Sequence, residues 1–374
     1  MENNQLIVIK IGTSSLTNPR GDISPEKVKQ IVAQVDEIRK AGHQVVIVTS
    51  GAIAAGFRRL GYQERPKTVA DKQAAAAVGQ GLLIEEYTRY FYKIGYVAAQ
   101  LLVNRSDFSD KRRYQNAFNT LMKLLKKGAV PIINENDTVS IEELKFGDND
   151  TLSAHVASLI HADMLILLTD VDGLYTSNPQ NDATARRIDV VEQIDGDIEK
   201  MALDTGGKTG TGGMRSKISA ARLAVMSGVP VFICSSRDED VLVKAVRGAA
   251  TGTLFKAQAH NMNTRQQWLA FHSDVRGSAV IDHGAVTALR KRHTSLLPAG
   301  ITEVLGDFAK GDVIEILDKD HNFIGRGISQ YDSRELKMIK GLSTNEIREI
   351  VPGGEPEAIH RDNWLGTEKI DGGM

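Results

Sequence analysis

The 374-residue chain has 41% hydrophobic and 25% charged residues, the composition of a globular protein with a large core, and its length predicts two domains. Its 46 Lys and Arg residues balance 47 Asp and Glu residues, so the whole chain lacks the basic excess of nucleic-acid-binding proteins. The single cysteine, Cys234, excludes an intrachain disulfide, and its apolar neighbours favour a core position over a nucleophile. The N-terminal segment lacks a signal peptide's basic start, and no apolar run approaches the roughly 20 residues that cross a bilayer, so we expect a cytoplasmic protein without a membrane partner.

Short Val- and Ile-rich runs alternate with segments of helical period over the first part of the chain. We predict strands over residues 6–12, 44–51, 96–103, 129–136, 163–170 and 229–236. Between them we predict helices over residues 25–42, 116–128 and 212–228, each ending at a glycine or next to one. Because the strands are almost continuously apolar, both faces of their sheet should be covered. The fold class predicted is α/β, a doubly wound, mainly parallel sheet sandwiched by helices.

From Gly277 onwards the apolar runs are shorter and glycines are frequent, as in residues 295–306 and 312–329. This pattern predicts a small β-rich second domain. We expect an α/β domain over residues 1–258 and a linker over 259–275. The β-rich domain should then span 276–360, and a flexible tail 361–374.

Small or polar residues follow several predicted strands: Lys10 to Gly12, Ser50 and Gly51, Asn134 to Asp137, and Thr169 with Asp170. A second polar cluster, Asp148, Asn149 and Asp150, comes shortly after the third of these groups. In open α/β sheets, ligands bind outside the carboxyl ends of the strands. These residues therefore favour a polar cup for a small charged ligand, although Asn and Asp clusters are also typical of surface loops.

Lys10 is unusual because it interrupts a strand that is otherwise aliphatic. An unpaired lysine in a core costs several kcal/mol, so its side chain either reaches solvent from the strand end or binds an anion. Gly12 and Gly51, which follow their strands directly, permit close approach of backbone N–H groups to an anion. Each glycine is equally compatible with a simple tight turn.

The segment Thr205–Lys217, TGGKTGTGGMRSK, is a glycine-rich loop that leads into a predicted helix. It does not match the phosphate-binding GxxxxGK[ST] pattern, because Ala202 occupies the place of the first glycine, and it is not GxGxxG either. A helix N-terminus offers free N–H groups to phosphates, and a lysine in the first turn, Lys217, is unfavourable there unless an anion binds. A flexible surface loop is the alternative. Two lysines and an anion-binding loop suit phosphoryl transfer, which depends mainly on positioning and charge neutralisation.

Seven motifs occur in one order: KIGTS, VTSGAIAAG, AAVGQ, PIINENDTV, GDNDTLSA, LLTDVDGLYT and GTGGMRSK. In this order they resemble the glutamate 5-kinase family of the amino-acid kinase superfamily, from the N-terminus to about residue 258. The segment from Arg276 to Pro352 is similar to a PUA domain.

This resemblance implies a phosphotransferase with a carboxyl group as acceptor. The reaction would be ATP-dependent phosphorylation of the γ-carboxylate of L-glutamate to L-glutamyl 5-phosphate, the first step of proline biosynthesis. Proline is expected as feedback inhibitor, a homo-oligomer as the assembly, and glutamyl-5-phosphate reductase as the enzyme that receives the product. Mg²⁺ would be carried mainly by the ATP phosphates, with no metal site on the protein.

The resemblance also implies a role for individual residues. Lys10 and Lys217 would stabilise the phosphoryl group in transfer, and Asp150 would orient them. The glutamate-binding residues would be Ser50, Gly51, Asn134, Asp137, Asp148 and Asn149. The ATP-binding residues would be Lys10, Gly12, Thr169, Asp170, Thr211, Gly212, Gly213, Met214, Arg215, Ser216 and Lys217. Residues 140–150 are hypothesised to form a partly mobile lid.

Two alternatives stay open. Another amino-acid kinase could act on aspartate, acetylglutamate, carbamate or UMP, although a carboxylate-rich cup suits an ammonium group and repels a nucleotide. A PUA domain could instead bind RNA. Residues 276–360 contain 11 Lys and Arg against 13 Asp and Glu, which argues against a nucleic-acid partner, and Arg290 to His293 is their one basic cluster.

Overall fold

The computed structural model describes residues 4–139, 148–204, 213–257, 262–292, 294–351 and 353–367. Most of the hypothesised lid and most of the glycine-rich loop lie outside these ranges. The chain divides into two compact units, Met1–Gln258 and Ala259–Met374.

The first unit is built on an eight-stranded sheet. The strands of this sheet are β1 (Leu6–Ile11), β2 (Gln44–Thr49), β3 (Ala98–Val103), β4 (Val130–Glu135), β5 (Met164–Thr169), β8 (Val190–Val191), β9 (Val231–Ser235) and β10 (Thr253–Phe255). A separate two-stranded sheet consists of β6 (Leu174–Tyr175) and β7 (Arg187–Ile188). The sheet order is β3-β4-β2-β1-β5-β9-β10-β8. The strands from β3 to β9 in this order are parallel, and β10 is antiparallel to β9. The mainly parallel α/β sheet predicted from the sequence is confirmed.

The described helices of this unit are α1 (Pro25–Lys40), α2 (Ala52–Gly56), α3 (Val69–Lys93), α4 (Arg105–Ser109), α5 (Lys111–Lys126), α6 (Asn149–Leu159), α7 (Gly196–Asp204), α8 (Met214–Met226) and α9 (Val241–Val246). Helix α1 begins where Ser24 accepts a hydrogen bond from the Lys27 N–H and Pro25 occupies the first helical position. Its apolar stripe packs on the sheet together with the buried Tyr87 and Phe91 of α3. Cys234 lies fully buried in β9, and burial raises the pKa of its thiol.

Helices α2 and α3 contact each other backbone to backbone. A Cβ atom on Gly56 would lie 2.0 Å from the Ala75 carbonyl oxygen, and one on Gly79 would lie 1.8 Å from the Ala52 carbonyl oxygen. Only glycine permits this approach. The long helix α3 is thereby held against the carboxyl-end region of the sheet, where α2 follows β2 directly.

The second unit contains a five-stranded sheet of β11 (Val275–Ile281), β12 (Ile301–Gly306), β13 (Val313–Leu317), β14 (Phe323–Ile328) and β15 (Trp364–Gly366). Its order is β12-β11-β13-β14-β15, with β11 and β13 parallel and the other neighbours antiparallel. The described helices are α10 (Thr264–Gln267), α11 (His283–Arg292), α12 (Ser333–Ile339) and α13 (Thr344–Ile350). The predicted β-rich character of this unit is confirmed.

Two segments are more ordered than expected. Within the predicted linker, α10 continues into a π-helical turn, Trp268–His272, whose Trp268 and Leu269 side chains are buried. Within the predicted tail, β15 pairs with β14 and Trp364 packs against the core. The buried Trp268 and the partly buried Trp364 supply apolar contacts that help to order these two segments. In the described part of the chain, no helix is long and apolar enough to cross a membrane.

Candidate active site

The polar residues predicted to form a cup follow strands that are neighbours in the sheet. Strands β4, β2, β1 and β5 lie side by side and run parallel, so their carboxyl ends meet at one edge. Lys10 lies opposite Val48 of β2 and Leu167 of β5. It therefore occupies the middle of this edge.

A buried carboxylate between two lysines forms the centre of the site. The Nζ atom of Lys10 lies 2.6 Å from Oδ1 of Asp150, and the Nζ atom of Lys217 lies 3.1 Å from Oδ2. Asp150 is fully buried, and the two lysines are 7% and 4% exposed. The three side chains carry a net charge of +1 in a region that excludes most water.

Asp150 is ionised in this arrangement. Burial by itself favours the protonated carboxyl, but the ammonium groups of Lys10 and Lys217 outweigh it and hold the pKa of Asp150 below its ordinary value. Ser216 also donates a hydrogen bond from Oγ to Oδ2 of Asp150, at 3.1 Å. Each carboxylate oxygen is therefore committed to holding a lysine in place.

Two packed helices bring these charges together. Asp148 is the N-cap residue of α6, and its Oδ1 accepts a hydrogen bond from the Thr151 N–H at 2.7 Å. Asp150 therefore lies in the first turn of this helix. Helix α8 begins after Gly213 and buries Lys217 in its first turn. Because α6 packs against α8, Asp150 in the first turn of α6 contacts Lys217 in the first turn of α8.

Side-chain amides form a hydrogen-bond network at the ends of β2 and β4. Nδ2 of Asn149 donates hydrogen bonds to the carbonyl oxygen of Thr49 at 2.7 Å, to Oγ of Ser50 at 2.9 Å and to Oδ1 of Asn134 at 3.0 Å. Nδ2 of Asn134 donates to Oε1 of Gln80 at 2.8 Å. The predicted residues Ser50, Asn134 and Asn149 are thus joined in one network.

Two predicted carboxylates lie close in sequence to members of this network. Asp137 is half-buried in the turn after β4, and Asp148 is half-buried at the start of α6. Burial raises the pKa of Asp148, and the neighbouring charge of Asp150 adds to the effect while the hydrogen bond from Thr151 opposes it. A negative charge on Asp148 is therefore less favourable here than in water.

The two predicted glycines behave differently. Gly51 has a φ of +103°, which a glycine adopts without strain, and it starts α2. Gly12 has ordinary extended geometry, and its N–H donates to the carbonyl oxygen of Leu168 at 3.2 Å. The N–H of Gly12 is thus occupied by the sheet, and the assignment of this glycine to the ATP site stays a prediction.

The predicted nucleotide-binding residues lie at two places, the end of β5 and the start of α8. Thr169 is buried at the end of β5 and donates from Oγ1 to Oδ1 of the exposed Asp170, at 3.1 Å. At the start of α8, Met214 is buried while Gly213 and Arg215 are exposed. Thr211 and Gly212 lie outside the described residues.

Sequence reasoning assigned no role to two residues that the structure places in the site. The carbonyl group of Thr49 accepts from Asn149, and Gln80 accepts from Asn134. A backbone carbonyl leaves no signal in a sequence. Gln80 does end the AAVGQ motif. Its position directly after Gly79, a glycine that permits close helix packing, was the signal in the sequence that could have identified it.

In the described part of the chain, no group of three or more His, Cys, Asp or Glu side chains could hold a metal ion. Asp150, the most buried carboxylate, already contacts two ammonium groups.

Comparison with known families defines the class of protein. The amino acid kinase family matches residues 5–235 and the PUA domain matches residues 277–351. Since the first match covers more than half of the chain, the protein belongs to the amino acid kinase family and carries a PUA domain.

Within that family its relatives are glutamate 5-kinases. The enzyme of Streptococcus suis (strain 05ZYH33) is 50% identical over 362 residues, which are 96% of this chain and 98% of the relative. The enzyme of Bacillus cereus (strain B4264) is 48% identical over 362 residues, with 96% and 99% covered. The chain is thus an enzyme of the glutamate 5-kinase group, and the resemblance predicted from the seven motifs is confirmed.

A solved structure shows the same fold at lower identity. Carbamate kinase from Giardia lamblia bound to AMP-PNP matches with a TM-score of 0.50 and 18% identity. The match covers 69% of this chain and all of that chain. At this identity the likeness supports the fold alone.

Proposed function

We propose that the chain transfers the γ-phosphoryl group of ATP to the γ-carboxylate of L-glutamate. The acceptor is taken from the glutamate 5-kinases that it resembles at 48–50% identity over 96% of its length. One oxygen of the γ-carboxylate forms a bond to the γ-phosphorus, the bond from that phosphorus to the β–γ bridging oxygen breaks, and ADP leaves. The attacking carboxylate is already ionised, so the step needs no general base.

The observation that supports this reaction best is the buried set Lys10, Asp150 and Lys217. Attack of a carboxylate on a phosphate brings two anions together, and preorganised cations offset their repulsion in the transition state. Two ammonium groups held by one carboxylate, at 2.6 and 3.1 Å, provide such cations. Asp150 keeps them in place and leaves a net positive charge for the transferred group.

The acceptor side has the groups that an α-amino acid requires. Asp137 and Asp148 offer carboxylates to the ammonium group of glutamate. The amides of Asn134 and Asn149 and the hydroxyl of Ser50 offer donors and acceptors to its carboxylates. We also assign Gly51 to this side, because it lies between Ser50 of this network and the start of α2.

The nucleotide is proposed to bind beside Thr169 and Asp170 and at the start of α8. This region includes the exposed Gly213 and Arg215, and the loop residues Thr211 and Gly212 would complete it. Bound to the ATP phosphates, Mg²⁺ would neutralise charge on the leaving diphosphate. We propose that its ligands are mainly the phosphates, since Asp150, the most buried carboxylate of the site, already contacts two ammonium groups.

Further parts of the proposal concern regulation and organisation. Proline shares the α-amino and α-carboxylate groups of glutamate, so we propose that it competes for the same cup. We assign catalysis to residues 1–258 and the PUA domain to residues 276–360. We also propose a homo-oligomer and hand-over of the reactive product to glutamyl-5-phosphate reductase.

The experiment measures glutamyl phosphate as its hydroxamate, with ATP, Mg²⁺ and L-glutamate. Lys10→Met and Lys217→Met should each reduce kcat by about 100-fold or more, because each removes a cation that acts on the transition state. Lys200→Met is the matched control, since the Lys200 side chain is 76% exposed and pairs only with the equally exposed Asp197 among described residues.

Parallel reactions contain L-aspartate, carbamate or N-acetyl-L-glutamate as acceptor. Turnover with one of these and none with glutamate would overturn the substrate while keeping the reaction. Full activity of both lysine variants would overturn the mechanism.

A further inference from the structure

Gln80 is a polar residue of α3 that reaches the acceptor side of the site. Its Oε1 atom accepts a hydrogen bond of 2.8 Å from Nδ2 of Asn134, a residue 54 positions away. Gln80 is half-buried, whereas Asn134 is 2% exposed. Within the described residues Asn134 has no other acceptor for its N–H groups.

The directions of the hydrogen bonds in this network follow from two backbone groups. The N–H of Glu135 can only donate, and it donates to Oδ1 of Asn134 at 2.9 Å. The carbonyl oxygen of Thr49 can only accept, and it accepts from Nδ2 of Asn149 at 2.7 Å. Nδ2 of Asn134 must therefore face Gln80, which must present its oxygen.

We propose that Gln80 is a positioning residue of the acceptor site, which holds the amide of Asn134 in the orientation that the substrate amino acid requires. The inference rests on the proposed function for the identity of the substrate. In this orientation, the second N–H of Asn134 and the Oδ1 atom of Asn149 are uncommitted among the described residues. The N–H of Asn134 is a donor for a carboxylate, and the Oδ1 atom of Asn149 is an acceptor for an ammonium group.

The reversed orientation of Asn134 would be incompatible with its neighbours. Its NH₂ group would then face the N–H of Glu135 and the NH₂ group of Asn149. In the observed orientation, Gln80 supplies the acceptor for the NH₂ group of Asn134 from the α3 side. Without it, a buried N–H of Asn134 would lack a partner, which is costly.

The contact between α2 and α3 places Gln80. Gly79 precedes it and lies against the backbone of Ala52 and Gly56, at a distance that excludes any side chain. The residue after Gly79 is therefore brought to the region where β2 ends. This backbone contact gives the AAVGQ motif a physical role in the acceptor site.

The test replaces Gln80 by methionine, which has a similar shape and no hydrogen-bonding amide. We expect the KM for glutamate to rise about 10-fold, the size associated with an unsatisfied buried polar group. The kcat and the KM for ATP should change less than about twofold, because Gln80 contacts neither lysine. Gln115→Met is the matched control, since Gln115 is an exposed glutamine whose one acceptor among the described residues is Asn119 on its own helix.

A double-mutant cycle separates positioning from direct contact with the substrate. If Gln80 acts through Asn134, Gln80→Met should have less than about a twofold effect on glutamate binding in an Asn134→Ala background. Glutamate binding is measured by calorimetry, so low activity of Asn134→Ala does not prevent the comparison. A 10-fold effect in both backgrounds, or in neither, would overturn the proposal.

Two controls keep the result interpretable. Thermal unfolding of each variant identifies loss of folding, and Gln80→Leu serves if the methionine variant does not fold. If the wild type uses another amino acid instead of glutamate, the cycle is run with that acceptor. Failure of the proposed function is then distinguished from failure of this inference.

Discussion

Replacement of Asp150 by asparagine removes the negative charge between two buried lysines and keeps the shape of the side chain. Lys10 and Lys217 then lie close together with no carboxylate between them, and both are more than nine-tenths buried. We expect the variant to fold less stably and to transfer phosphate far more slowly.

The magnitude follows from the burial of the three groups. Loss of one partner from a buried ion pair costs about 3–5 kcal/mol, because a charge is left uncompensated in a region of low dielectric. For a unit of this size, 1 kcal/mol corresponds to a shift of about 2–4 °C in Tm, so we expect the Tm of the first unit to fall by about 10 °C. The kcat should fall about 100-fold or more, because the lysines are no longer aligned.

Differential scanning calorimetry and the hydroxamate assay measure the two effects. Asp197→Asn is the control, since its pair with Lys200 is 76% exposed on both sides and should not shift Tm measurably. The double variant Asp150→Asn/Lys217→Met should be more stable than Asp150→Asn alone, since it removes one of the two repelling charges. A Tm and a kcat equal to those of the wild type would refute the reasoning.

Three more expectations follow from other features of the first unit. Asp148→Asn should exceed the wild type in free energy of unfolding by a margin that grows as the pH rises above 3.8, the ordinary pKa of this carboxyl. The raised pKa of Asp148 makes folding bind protons, so wild-type stability falls as the pH rises above that value, and asparagine still caps α6. Chemical denaturation at each pH measures the margin, and a constant margin would contradict it. Gly79→Ala should destabilise the protein by about 3 kcal/mol, because the new Cβ would lie 1.8 Å from a carbonyl oxygen. Gly81→Ala should instead stabilise it by about 0.5–1 kcal/mol, because a Cβ there has nothing within 4 Å. Equal shifts in Tm for the two variants would count against the close helix contact. Cys234 should react with a thiol reagent only after denaturant is added, because it is fully buried and burial raises the pKa of its thiol; rapid labelling of native protein would show otherwise.

The sequence by itself determined the class of the fold. Each of the six predicted strands of the first unit is present within one or two residues, because continuous runs of Val, Ile and Leu are compatible with few structures other than a buried parallel strand. The binding roles of the polar residues at the strand ends stay predictions. That these residues lie together was also predicted, and the parallel neighbours β4, β2, β1 and β5 do place them at one end of the sheet. The rule that parallel strands align their carboxyl ends was sufficient for that, since it is a property of topology and does not depend on side-chain packing.

Only the tertiary structure decided how these residues contact one another. Lys10, Asp150 and Lys217 are far apart in the chain. Their ion pairs depend on the packing of α6 against both α8 and β1. The long helix α3 and the role of Gln80 were missed, because Gly79 and Gly81 resemble helix breaks in sequence. The reason is physical: a glycine that permits backbone contact between two helices is recognisable only when the second helix is present.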